Sequence, residues 1–191
     1  MSQNQSMNLR MTVYASLFTA LVIIGGYLSF PIPLSPVPIV LSDFFVLLAG
    51  LFLGASWGLA SIGLFIFLGA LGLPVFAGGK AGSAILFGPT GGFLFSFLAC
   101  AFVIGLISGK GKPSMIKDLG ALIAGNGLIY AIGVPWLKVV LNLTWGKALA
   151  AGLFPFIPGA IIKIIVALGL AQVLRPKFKQ TISPPLTNGE E

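Results

Sequence analysis

The stretch Phe154-Pro155-Phe156-Ile157-Pro158-Gly159-Ala160-Ile161-Ile162-Lys163-Ile164-Ile165 decides how the chain is read. Beyond Pro158 it reads as an apolar helix to about Leu174, roughly 25 Å long at about 1.5 Å per residue. Lys163 stands inside that helix, roughly 7 Å from its start. An ionisable residue in a membrane helix costs a few kcal/mol and faces a cavity or a partner. The chain holds four acids, Asp43, Asp118, Glu190 and Glu191, and the last two lie in a polar tail. Lys163 therefore reads as awaiting an anion that the protein does not supply, most simply a ligand carboxylate. The plainer alternative is that it snorkels to an interface, or pairs with Asp43 or backbone carbonyls.

The whole composition agrees with a membrane setting. Of 191 residues, 57% are hydrophobic and 8% charged, against the ~25% charge of soluble domains. Mean hydropathy is +1.06. The net charge of +7 comes from cations at segment ends and does not indicate nucleic acid. The single cysteine, Cys100, sits in an apolar run and reads as a packing residue. Histidine is absent, which weakens any transition-metal site and removes histidine proton relays. No Ser/His/Asp set, metal cluster or paired carboxylates suggest an enzyme. Gly79-Lys80-Ala81 lacks the hydroxyl residue that a phosphate-binding P-loop places after its lysine. No secretory signal is expected at the N-terminus.

In order, residues 1–10 form a polar segment ending at Arg10, and the first span runs from about Met11 to Phe30. It carries Ala15, Ser16, Thr19 and Ala20, two overlapping small-residue pairs at helical spacing. Pro31 to Ile39 (PIPLSPVPI) is too rich in proline for a helix and reads as a stiff extended loop. Spans follow at about Val40–Leu53 and Trp57–Leu71, joined by a turn at Gly54-Ala55-Ser56. Gly72 to Gly92 is a glycine-rich region whose backbone N–H groups, at Gly78, Gly79 and Gly91, could meet a polar ligand. A fourth span covers about Phe93–Ile107 and a fifth about Leu119–Val134. The fifth places Asn126 and Tyr130 on one helix face. Trp136, Lys138, Trp145 and Lys147 read as interfacial anchors on a connector before the sixth span. The expected fold is an all-α membrane protein of six transmembrane helices over residues 11–175, with a polar tail over 176–191.

Cations decide the orientation. Arg10, the Lys110/Lys112/Lys117 loop and the Arg175/Lys177/Lys179 cluster fall on one side, which the positive-inside rule makes cytoplasmic. Both termini are then cytoplasmic. The proline loop, the glycine loop and the start of the sixth helix share the extracellular side, and together describe a loop-covered ligand pocket.

Four motifs in order, PIPLSPVPIVLSDFFVLLAG, GALGLPVFAGGKAG, FGPTGGFL and FPFIPGAIIK, resemble the biotin-specific S component (BioY) of energy-coupling factor (ECF) vitamin transporters. The resemblance covers nearly the whole chain. It implies high-affinity biotin capture without catalysis or a cofactor. It implies docking on a transmembrane coupling subunit and two cytoplasmic ATPase subunits in the plasma membrane of a prokaryote. It implies that Ala15/Thr19 or Ser16/Ala20 is the face the coupling subunit packs against. Two positions depart from the expected family pattern: Ala160 stands where an acid often precedes the lysine, and Lys80 stands in the glycine loop where a small residue is expected. Biotin's chemistry suits the residues singled out, with Lys163 for the carboxylate and Asn126 for the ureido group. Tyr130, Phe76 and Phe154 would cover the rings or tail, and Gly78, Gly79, Thr90 and Gly91 would add polar contacts, with Asp43 and Ala160 beside Lys163. The alternatives are a stand-alone secondary transporter, disfavoured by the scarcity of intramembrane acids, and an S component for another anionic vitamin.

Overall fold

The computed structural model describes residues 3–33, 35–109 and 114–182. Lys110, Lys112, Glu190 and Glu191 lie outside them. Helix α1 (Gln3–Tyr27) leads into a hairpin of β1 (Ser29–Ile32) and β2 (Ser35–Val40), then α2 (Ser42–Ala70) and the short α3 (Ser83–Leu86). Helices α4 (Gly91–Ser108), α5 (Met115–Val140), α6 (Trp145–Gly152) and α7 (Ile157–Ile182) complete the order. The first helix thus begins inside the polar N-terminal segment, and the last runs on past Arg175 to Ile182.

Five of the described helical segments are long and apolar enough to cross a bilayer. One of them, α2, is broken at Gly54, whose φ of 77° and ψ of −176° are not helical. A Cβ on Gly58 would lie 3.4 Å from the Ala49 carbonyl oxygen. In a straight helix nine residues would separate those positions by roughly 13 Å. The chain therefore folds back at Gly54, as the turn at 54–56 anticipates, and α2 is two arms packed side by side. The break admits α4: a Cβ on Gly105 would meet Ala55 N at 2.2 Å. With α2 split, six helical arms bound a common apolar core.

The proline-rich stretch is extended as expected, and it is also paired. Ser29 faces Val40 and Phe30 faces Ile39 in an antiparallel ladder with an irregularity before Ile32. A two-stranded sheet has only edge strands, so the prolines sit where a missing N–H is tolerated. Side chains pin the hairpin to the bundle: Ser35 Oγ donates to the Ala151 carbonyl at 2.6 Å and accepts from Val37 N–H at 3.0 Å. At its exit Ser42 Oγ donates to the Val22 carbonyl at 2.8 Å.

The connector before the last helix is more helical than its composition suggests. α5 passes through Pro135 to Val140, and α6 is capped by Thr144, whose hydroxyl accepts from Lys147 N–H. The Lys138 ammonium lies 5.2 Å from the centre of the Trp145 ring. At the opposite end of the bundle Arg175 and Asp118 form a buried ion pair, and Arg175 Nη2 donates to the Ser108 carbonyl at 2.7 Å. That pair ties the ends of α4 and α7 to the start of α5.

Candidate ligand-binding site

Two adjoining cavities open behind the hairpin. The larger, about 240 Å³, lies between β2, the glycine-rich segment and the start of α4. Its walls are mostly apolar, with Phe65, Phe76, Phe93 and Phe97 among them, and Ser42, Lys80 and Thr90 as polar side chains. The smaller, about 50 Å³, holds Asp43, Lys163, Tyr130 and Phe156. Val37, Pro38, Val40, Phe93 and Phe97 line both, so one strand and one helix face form the divide.

Lys163 has its anion within the protein, which corrects the first reading of this residue. Its ammonium donates to Asp43 Oδ1 at 2.7 Å, to Oδ2 at 2.8 Å and to the Val40 carbonyl at 2.8 Å. An ammonium has three protons, and all three are accounted for. Both side chains are about 15% exposed, on the small cavity's wall. Asp43 is held in turn by Phe44 N–H at 3.0 Å. The partner lies 120 positions away in sequence, brought into place because the hairpin delivers Val40 and the start of α2 against α7.

The other expected site residues divide into wall and support. Phe76, Thr90, Asp43, Tyr130 and Lys163 line a cavity. Asn126 is buried beneath Tyr130 on α5 and is not among the lining residues. Ala160 is buried one turn before Lys163 and is not among them either. Gly78 and Gly79 shape the loop instead of lining the cavity. Their φ angles of 66° and 74° reverse the chain, so that Phe76 N–H donates to the Lys80 carbonyl at 2.9 Å. Gly91 is small for packing: a Cβ there would meet the Leu86 carbonyl oxygen at 1.8 Å. Phe154 is 58% exposed and points away, and Phe156 takes the wall position.

The glycine-rich loop is anchored where it passes the cavity. Phe76 is 1% exposed and meets Phe65 edge-on at 5.4 Å. It fills the space over Gly69, where a Cβ would lie 2.0 Å from its ring. Tyr27 donates its hydroxyl proton to the Pro74 carbonyl, and Gly82 N–H donates to the Gly69 carbonyl at 2.8 Å.

On α1 the structure separates the two small-residue pairs. Ala15 and Thr19 are buried, and the Thr19 hydroxyl bonds the Ser61 carbonyl at 2.9 Å. Ala15/Thr19 is thus an internal contact with α2 and is ruled out as a docking face. Ser16 and Ala20 are exposed.

With this geometry in place, comparison with known proteins gives a consistent answer. The model of the BioY family matches residues 1–180. The chain belongs to the BioY family. Among BioY relatives, a biotin transporter of Thermotoga maritima is 43% identical over 167 residues, covering 87% of this chain and 96% of its own. A biotin transporter of Lactococcus lactis is 34% identical over 181 residues, covering 92% of this chain and 94% of its own. The crystal structure of the S-component for biotin from an ECF-type ABC transporter superposes with a TM-score of 0.84 at 33% identity. That match covers 92% of this chain and 95% of the other. These BioY proteins are transporters, not enzymes, in agreement with the lack of catalytic groups read from the sequence.

Proposed function

We propose that the protein is the substrate-specificity subunit of an ECF transporter and captures biotin in the cavity behind the hairpin. The observation that carries the reading is an apolar chamber that leads, past the β2 strand, to a compact polar end of Asp43, Lys163 and Tyr130. Biotin has a matching division, with an apolar thiophane and chain beside a ureido ring that both donates and accepts. The ureido N–H groups face the Asp43 carboxylate, and the ureido carbonyl faces the Tyr130 hydroxyl. Aromatic walls cover the rest. Biotin-transporting relatives and the biotin S-component fold support the same ligand.

Orientation follows the distribution of cations. The end with Lys117 and the Asp118–Arg175 pair faces the cytoplasm with both termini, and the cavity end faces outward, with six arms crossing the cell membrane. Ser16 and Ala20 form the small-residue face left open on α1, where a transmembrane coupling subunit packs. Two cytoplasmic ATPases then supply the energy, because the chain has no nucleotide-binding motif. Radiolabelled biotin uptake in a biotin-auxotrophic bacterium tests this. Accumulation is expected only when the chain is expressed with the coupling subunit and the ATPases, and is lost when the ATPases carry inactive P-loops. Concentrative uptake by the chain alone in liposomes under a proton gradient would overturn it.

A further inference from the structure

We propose that the outer face of α5 holds an anionic phospholipid, with one acyl chain in a groove along the helix and the headgroup on Lys138 and Lys147. The inference does not depend on the biotin reading. The groove, about 470 Å³, is lined by Ala131, Ile132, Pro135, Trp136, Val139 and Val140, all apolar apart from the indole nitrogen. These residues form two neighbouring rows at helical spacing, 131–135–139 and 132–136–140, on one side of α5. Small side chains at Ala131 and Pro135 keep the first row low, and Ile132 and Trp136 raise the second. The raised wall is fixed in place. The Trp136 indole N–H donates to the Gly88 carbonyl at 3.0 Å, its ring centre lies 6.0 Å from that of Phe95, and a Cβ on Gly92 would meet its Cβ at 2.3 Å.

Length and charge select the occupant. From Ala131 to Val140 the groove runs roughly 14 Å along the axis, at about 1.5 Å per residue. One leaflet of a hydrocarbon core about 30 Å thick has nearly that depth. The groove ends at Val139 and Val140, on the turn that carries Lys138. There the Lys138 ammonium lies 5.2 Å from the centre of the Trp145 ring, and Lys147 follows in the first turn of α6. Trp145 and Lys147 are exposed. The two acids among the described residues, Asp43 and Asp118, pair with Lys163 and Arg175, so neither Lys138 nor Lys147 has an ion-pair partner among them. Two uncompensated cations beside an interfacial tryptophan attract a phosphate-bearing headgroup. The groove below them offers a soluble anion nothing and suits a hydrocarbon tail. A zwitterionic lipid brings the same tail, but its own cation would meet the two lysines.

The test is fluorescence quenching by lipids brominated along the acyl chain. The full chain carries Trp57→Phe and Trp145→Phe, so that Trp136 alone reports. It is reconstituted in dioleoylphosphatidylcholine vesicles with increasing fractions of brominated phosphatidylglycerol or, in parallel, brominated phosphatidylcholine. The phosphatidylglycerol is expected to quench Trp136 at about a twentyfold lower fraction, since each lysine at an anionic surface is worth about a factor of five. Lys138→Gln/Lys147→Gln is expected to be quenched equally by both lipids, and Lys138→Arg/Lys147→Arg to keep the preference. Ala131→Phe fills the groove from an exposed position and is expected to abolish the preference; a thermal melt verifies that each variant is folded. Equal quenching by the two lipids before these changes would overturn the proposal. So would a preference that survives Lys138→Gln/Lys147→Gln or Ala131→Phe. Displacement by soluble glycerol phosphate would overturn it in favour of a free-phosphate site, and a Trp136 that neither lipid quenches would overturn it in favour of a protein surface over the groove.

Discussion

Breaking the Asp43–Lys163 pair gives a quantitative test of how the small cavity is built. Three contacts of 2.7 to 2.8 Å hold the ammonium, on side chains about 15% exposed. At an effective dielectric of about 20, two unit charges about 2.7 Å apart attract by about 6 kcal/mol, most of which offsets desolvation. Removing one partner of such a pair costs about 3 kcal/mol, because the other charge stays behind unpaired. For a chain of this size that corresponds to a fall in Tm of about 6 to 12 °C. Asp43→Asn and Lys163→Met are each expected to show it in a fluorescence-monitored melt in detergent. The double variant removes both charges and is expected to lose no more than the worse single variant, a coupling of about 3 kcal/mol. Additive losses in the double variant would refute the pairing. The result bears on function too, since both side chains line the small cavity.

Three further perturbations follow from close contacts. Gly69→Ala puts a methyl group where the Phe76 ring now lies, 2.0 Å from its nearest carbon; overpacking costs about 1 to 3 kcal/mol, and calorimetry should show weaker biotin binding as the cavity wall shifts. Gly105→Val drives a side chain into the backbone at Gly54 and Ala55, and size-exclusion chromatography should show little monodisperse protein. Arg175→Met leaves the Asp118 carboxylate buried and unpaired at the end of the bundle away from the cavities. It is expected to lower stability by about 3 to 5 kcal/mol, with partial recovery in Asp118→Asn/Arg175→Met, read by thermal melts.

Helices were legible in the sequence because lipid demands long apolar runs, and the reversal at Gly54 was legible from its small, uncharged residues. The hairpin was half legible: proline forces extended backbone, but strand pairing depends on contacts that proline spacing does not encode. Lys163 was legible as anomalous, and of its two readings the plainer one, pairing with Asp43 and a backbone carbonyl, is the one the structure forms; it ranked second because Asp43 lies far off in sequence and meets Lys163 only through the hairpin. Faces of α1 were unreadable, since a helix in lipid is apolar all round and Ala15/Thr19 differs from Ser16/Ala20 by one position. The same limit exchanged Phe154 for Phe156, which a short 3-10 turn rotates to opposite sides. Gly78 and Gly79 were noticed for their backbone and act through it, by shaping the turn that carries Lys80.

The most direct measurement is a crystal structure of the purified chain with bound biotin. The account predicts the ligand in the chamber walled by β2, Phe76 and the start of α4, with its ureido ring toward Tyr130 and the intact Asp43–Lys163 pair. Biotin bound outside that chamber, or inside it with its carboxylate on Lys163 and Asp43 displaced, would contradict it.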